Sequence, residues 1–152
     1  MKNIFFILFS AILVLSGCEE NFLGGKFYTI TIENNSSETI YFLKYDGFSE
    51  IQYPDTSIVN EDPDLIALGA GRKFYVRDRN PWNESINELE ADTLSVFIFD
   101  AQVYEDSVWS VISNQYMILK RYDLSIEDLE QLNFVVPYPP NAEMEGMQIY
   151  PH

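Results

Sequence analysis

The run Thr93 to Asp100 (TLSVFIFD) constrains the fold more than any other segment, because it is apolar at consecutive positions and too short for a buried helix of ordinary length. A strand that is greasy on both faces has to be covered on both, so this one is expected at the centre of a sheet. Its neighbours in the chain read differently. Phe27 to Glu33 (FYTITIE) alternates, with Tyr28, Ile30 and Ile32 on one face and Thr29 and Thr31 on the other, the pattern of a half-buried strand. Asn34-Asn35-Ser36-Ser37 is a turn cluster, and Glu38 to Tyr45 (ETIYFLKY) is expected to return as the second strand of a hairpin. Ile66 to Val76 has strand character on either side of a tight turn at Gly69-Ala70-Gly71. Tyr116 to Tyr122 and Phe134 to Tyr138 are further strands, the latter stopped by Pro139-Pro140, and Met147 to Tyr150 is a short edge strand or a loose tail. Asp46 to Asp64 reads as a long polar loop with room for one edge strand, and Asp78 to Asp92 as irregular or briefly helical around Pro81-Trp82. Two short helices are expected, one opening at Ser107 and one at Ser125, where a hydroxyl can cap free amides and Glu127 and Asp128 suit the positive end. Many short strands and few helical periods predict a mainly β, single-domain β-sandwich with two short helices.

The amino terminus has a separate logic. Lys2 precedes Ile4 to Leu15, a 12-residue apolar run, and small residues then lead to Cys18. Crossing a membrane takes about 20 apolar residues, so this is the layout of a signal peptide rather than a span. Leu15-Ser16-Gly17-Cys18 resembles the lipobox of bacterial lipoproteins. That resemblance implies cleavage between Gly17 and Cys18, with acyl chains (palmitate among them) added at the cysteine. The expected organisation is signal peptide 1–17, tether 18–26 with Gly24-Gly25, and β-sandwich domain 27–152, whose tail 141–152 is less regular. Removal of the signal leaves 135 residues, enough for a real core without staples. Cys18 is the one cysteine, so the chain has no internal disulfide, thiolate zinc site or CxxC motif.

From residue 18 onward the chain has 8 Lys and Arg against 24 Asp and Glu, a balance of −16. There is no basic stripe to follow a phosphate backbone, which argues against nucleic acid. An anionic lipid surface repels such a charge overall, so the acyl chains are expected to supply membrane attachment. The acids are dispersed, which fits a solubilising surface more than a built recognition site.

The hairpin pattern TITIENNSSETIYF, the segment SVFIFDAQVYEDSVW and the run YMILKRYDLSIEDLEQLNFVVPYPP, taken with the lipobox, resemble small uncharacterised lipoproteins of the Bacteroidetes. The resemblance implies a cell-envelope, outer-membrane location and a β-rich fold, and it passes on no catalytic residues. Glu19-Glu20 resembles the short acidic signal that sends such lipoproteins to the cell surface, leaving surface-exposed and periplasm-facing placements both open. Asp92-Thr93-Leu94 and Asp106-Ser107-Val108 resemble the Asp-Ser/Thr-apolar O-glycosylation motif of exported proteins of that phylum.

Residue types narrow the chemistry further. His152 is the only histidine and stands at a chain end, a poor place for a catalytic triad or an imidazole-based metal site. Carboxylates leave a glycosidase-like pair open, with Asp100 and Glu105 just past the central strand as candidates. Asn60, Glu61, Asp62 and Asp64 offer hard oxygen ligands for calcium, without the spacing of a calcium-binding loop; Asp62 and Asp64 are the metal candidates. Gly69-Ala70-Gly71 is too short to cradle a phosphate. Trp82 and Trp109 lie outside the strands and are the candidate ligand-binding aromatics, since exposed rings stack on sugars, although strands also favour aromatics. The expectation is therefore a non-enzymatic, lipid-anchored binding or scaffolding protein, with no cofactor and with a protein or glycan partner of unknown identity. The alternatives are a carboxylate-dependent glycan hydrolase and an immunity- or inhibitor-type lipoprotein that covers a basic partner.

Overall fold

The computed structural model describes residues 26–45, 65–89 and 91–151. In chain order the elements are β1 (Tyr28–Asn34), β2 (Ile40–Tyr45), β3 (Ile66–Leu68), β4 (Lys73–Asp78), α1 (Trp82–Asn87), β5 (Leu94–Asp100), α2 (Ala101–Asp106), α3 (Trp109–Asn114), β6 (Lys120–Leu124), α4 (Ile126–Gln131), β7 (Val135–Tyr138) and β8 (Gln148–Tyr150). They form a three-stranded sheet, β4-β1-β7, and a five-stranded sheet, β3-β2-β5-β6-β8. The domain is thus mainly β and sandwich-like.

Strand β5 is central, as its composition demands: Leu94 through Phe99 are all buried. Its even-numbered side chains, Val96 and Ile98, join Ile30 and Ile32 of β1, Phe42 of β2 and Val136 of β7 in the core between the sheets. Phe42 meets Phe74 edge-on across that core, with ring centroids 5.4 Å apart. The odd-numbered Phe97 and Phe99 face the other way, into a smaller cluster with Ile112 and Ile118 under α2 and α3. Each large apolar side chain so buried contributes about 1.5–3 kcal/mol, and β5 places fully buried side chains in both clusters.

The expected hairpin does not form. β1 pairs with β4 and β7, whereas β2 pairs with β3 and β5, so Asn35 to Thr39 carry the chain from one sheet to the other. Turn residues between two alternating strands serve a hairpin and a sheet-to-sheet corner equally well, and the side-chain bonds at the corner decide. Asn34 is fully buried; its Nδ2 donates to the carbonyls of Glu38 (2.7 Å) and Leu68 (2.9 Å), and its Oδ1 accepts from the Ser36 amide (3.0 Å). The Gly69–Gly71 turn is a second such corner, from β3 to β4, with Gly71 at φ +65°, a conformation that suits a residue without Cβ. The Gly71 amide donates to the Asn34 carbonyl (2.8 Å) and the Asn34 amide to the Arg72 carbonyl (2.9 Å), so one asparagine fastens both crossings.

Four short α-helices occur among the described residues, two more than expected. α4 begins at Ser125 with a reciprocal capping box to Asp128. Ser107 does not open a helix: it closes α2, and Val108 stands at the start of α3. The unforeseen α2 is capped by Asp100, whose Oδ1 accepts from the Val103 amide (2.9 Å). α1 starts after Pro81, in the segment read as irregular or briefly helical. The strand expected from Tyr116 begins only at Lys120, because Tyr116 and Met117 still hydrogen-bond back to α3 through Ser113 and Ile112. β8 is the short edge strand expected near Met147, paired with β6.

Candidate functional site

Where β4 ends, Pro81 cannot continue the ladder and the chain turns into α1. The turn is built by Asp78, whose Oδ1 accepts from the Asn80 amide (2.9 Å) and whose Oδ2 accepts from the Ser85 hydroxyl (3.4 Å). Between this turn, α1 and the start of β5 lies a cavity of about 200 Å³. Asp78, Asn80, Ser85 and Glu88 supply its polar lining, and Trp82, Ile86, Leu89 and Leu94 its apolar wall. Two carboxylates, a hydroxyl and an amide over an apolar wall suit a small polar molecule rich in hydrogen-bond donors.

Of the two tryptophans singled out in the sequence, Trp82 reaches this cavity, but as part of the core. It is 4% exposed, packs among the buried residues of both sheets, and has Lys44 Nζ 5.4 Å from its ring centroid. A ring so enclosed has no open face on which a sugar can stack. Its Nε1 is buried without a hydrogen-bond partner among the described residues. Trp109 lies apart, half-buried on the outer face of the five-stranded sheet, edge-on to Phe99 at 5.8 Å.

The candidate carboxylates have local structural duties. Asp100 caps α2, and Glu105 Oε1 accepts from the Tyr41 hydroxyl (3.0 Å), a bond that raises the Tyr41 phenol above its ordinary value. Asp92 and Thr93 sit in the turn before β5, with Asp92 exposed at φ 50°; Asp106 and Ser107 end α2. Gly17, Cys18, Asn60, Glu61, Asp62, Asp64 and His152 lie outside the described residues. Among the described residues no group of three or more His, Cys, Asp or Glu could hold a metal ion.

One polar constellation went unnoticed in the sequence. Arg121 and Asp123, two residues apart on β6, share the face opposite the central core and are 2% and 7% exposed. The guanidinium grips the carboxylate twice, Nε to Oδ1 at 2.8 Å and Nη2 to Oδ2 at 2.7 Å, and the Ser95 hydroxyl donates to the same Oδ1 at 2.7 Å. The register explains the meeting: Asp123 is opposite Ser95, while Arg121 is flanked by Phe97 and Tyr150, whose rings lie 5.4 and 5.8 Å from its guanidinium carbon. The signal was present in KRYDL as Arg and Asp at strand spacing, but nothing in the sequence says that this face is covered. One buried phenol and one half-buried phenol complete the polar interior. Desolvation pushes Tyr122 far above the usual tyrosine range, and its hydroxyl donates to the Pro137 carbonyl (3.3 Å). Tyr138 is raised by burial first and by the charge of Asp100 second.

Comparison with protein-family models, with curated proteins and with solved structures finds no match. Among the described residues no helix is long and apolar enough to cross a membrane.

Proposed function

We propose that this chain is a lipid-anchored binding domain of the cell envelope, held in the outer membrane through acyl chains on Cys18. The observation that carries this reading is Leu15-Ser16-Gly17-Cys18 immediately after a 12-residue apolar run. The β-rich domain beyond the tether supplies a rigid scaffold, and the cavity walled by Asp78, Ser85, Glu88 and Trp82 is its ligand site. Asp100 is engaged as a helix cap and Glu105 by a tyrosine hydroxyl, so the ligand-site reading rests on the cavity and not on this pair.

The test is the mature amino terminus. Mass spectrometry of the membrane fraction is expected to find a chain beginning at Cys18 and carrying acyl chains. Cys18→Ala is expected to leave the protein unprocessed or release it from membranes. A variant that is still cleaved before residue 18 and still fractionates with membranes refutes the reading.

A further inference from the structure

We propose that the β1–β4 edge of the domain docks on the anionic phosphate headgroups of the membrane that holds its anchor; this rests on the lipoprotein reading above. The charge of the chain is segregated. Residues 26–34 and 71–79 hold five cations (Lys26, Arg72, Lys73, Arg77, Arg79) against two acids (Glu33, Asp78), a balance of +3. Everything else from residue 18 onward holds three cations against 22 acids, or −19. The two basic segments are one place in the fold, because β1 and β4 are antiparallel neighbours with Thr29 opposite Arg77 and Glu33 opposite Lys73. Lys73 is engaged by Glu33, whereas Arg77 and Arg79 are exposed and make no ion pair among the described residues.

The same edge is greasy. Phe27 is 48% exposed and Tyr75 is 53% exposed, and aromatic rings beside cations are what a headgroup layer accommodates. β4 is an edge strand with no neighbour on its outer side among the described strands.

Tether length limits how far the Lys26 end of β1 can stand from the bilayer. Eight peptide steps join Cys18 to Lys26, at most roughly 30 Å when fully extended. Arg77 and Arg79 lie at the end of the β-ladder where that tether enters, since Tyr28 pairs with Asp78. Screening then decides the sign of the interaction. Charge effects fade over about 8 Å at physiological salt, and the second sheet of a sandwich sits about 10 Å behind the first. Lys73, Tyr75 and Arg77 alternate with the inward Phe74 and Val76, so the cations lie on the outer face of β4; with that face leading, the +3 region acts on the surface and much of the acidic remainder is screened from it. A cation near an anionic bilayer favours contact by roughly fivefold, so three net charges shift the docked-to-free ratio about a hundredfold.

The test uses the full lipidated protein reconstituted in vesicles of phosphatidylcholine alone or mixed with phosphatidylglycerol, read by flotation and by hydrogen–deuterium exchange. Slower exchange across residues 72–79 is expected on the phosphatidylglycerol vesicles only, and it is expected to vanish at high salt and in an Arg77→Glu, Arg79→Glu variant. Arg77→Lys with Arg79→Lys is expected to retain it. Should the acidic variant misfold, the salt dependence of the unchanged protein carries the same test. Protein that floats with both vesicle types while residues 72–79 exchange identically overturns the docking and leaves the anchor intact. Protein that floats with neither refutes the anchor, and the docking with it. Protection of this strand on neutral vesicles by a soluble anionic polysaccharide also overturns the proposal, by assigning the edge to a glycan.

Discussion

Replacing Asn34 probes the join between the two sheets at a single side chain. Asn34→Ala deletes two bonds from Nδ2 to buried or half-buried carbonyls and two bonds into Oδ1, from the Ser36 amide (3.0 Å) and hydroxyl (2.6 Å). Each such bond is worth about 0.5–1.5 kcal/mol net, and carbonyls stranded away from water add to the cost. Part of the loss is recovered by water at the half-exposed Ser36 corner, so about 3 kcal/mol is the expected destabilisation, a large share of a typical 5–15 kcal/mol. At roughly 4 °C per kcal/mol for a domain of this size, Tm should fall by about 12 °C in a calorimetric melt. Asn34→Asp sharpens the test. It exchanges the amide donor for a carboxylate oxygen facing the Glu38 and Leu68 carbonyls, so burial and repulsion raise the carboxyl pKa in the folded state. Folding then takes up a proton, and the variant should gain stability as pH falls from 7 toward 4, opposite to an ordinary salt-bridged acid. An Asn34→Ala protein melting within about 3 °C of the parent, or an Asn34→Asp protein insensitive to pH over that range, would refute the idea that this residue fastens the sheets.

Two further outcomes follow from the buried polar groups. Asp123→Ala leaves the Arg121 guanidinium without its bidentate partner at 2% exposure and should cost about 3–5 kcal/mol by urea denaturation; Arg121→Met combined with Asp123→Leu should recover much of that, and a double variant as unstable as the single one counts against the pair as the cause. Tyr122 stays protonated in the folded protein well above the ordinary phenol range, whereas the unfolded chain releases this proton near pH 10. Stability contributed by the neutral buried phenol is therefore complete below pH 10 and declines as pH rises beyond it, and Tyr122→Phe should flatten that decline in alkaline melts followed by tyrosinate absorbance.

Local pattern made several elements readable without coordinates. The consecutive apolar run of β5 demanded cover on both faces and has it, and the alternation of β1 put Ile30 and Ile32 inward. Ser125 followed by Asp128 marked a helix start, because a capping box is a contact within four residues. The helix at Ala101–Asp106 was missed, since its cap belongs to a strand end and its six residues are too few to show a period. At the candidate site, Trp82 stood out in the sequence only as an aromatic outside the strands; its enclosure by both sheets and the convergence of Asp78, Ser85 and Glu88 upon one cavity depend on how α1 packs.

By itself the sequence determined a β-rich chain, its strand faces, its helix cap at Ser125 and the charge it carries, because these follow from residue spacing and composition. Tertiary structure alone decided which strands pair. Asn34 to Thr39 and Gly69 to Gly71 are competent as hairpin turns, but become crossings between sheets once Asn34 spends its amide on carbonyls 4 and 34 residues away. It also decided that Arg121 and Asp123 are buried and that Arg77 and Arg79 come to the end of the β1–β4 ladder where Lys26 enters. Long-range pairing joins residues that share no local pattern, so the physical reason for the pairing exists only after the chain has closed on itself.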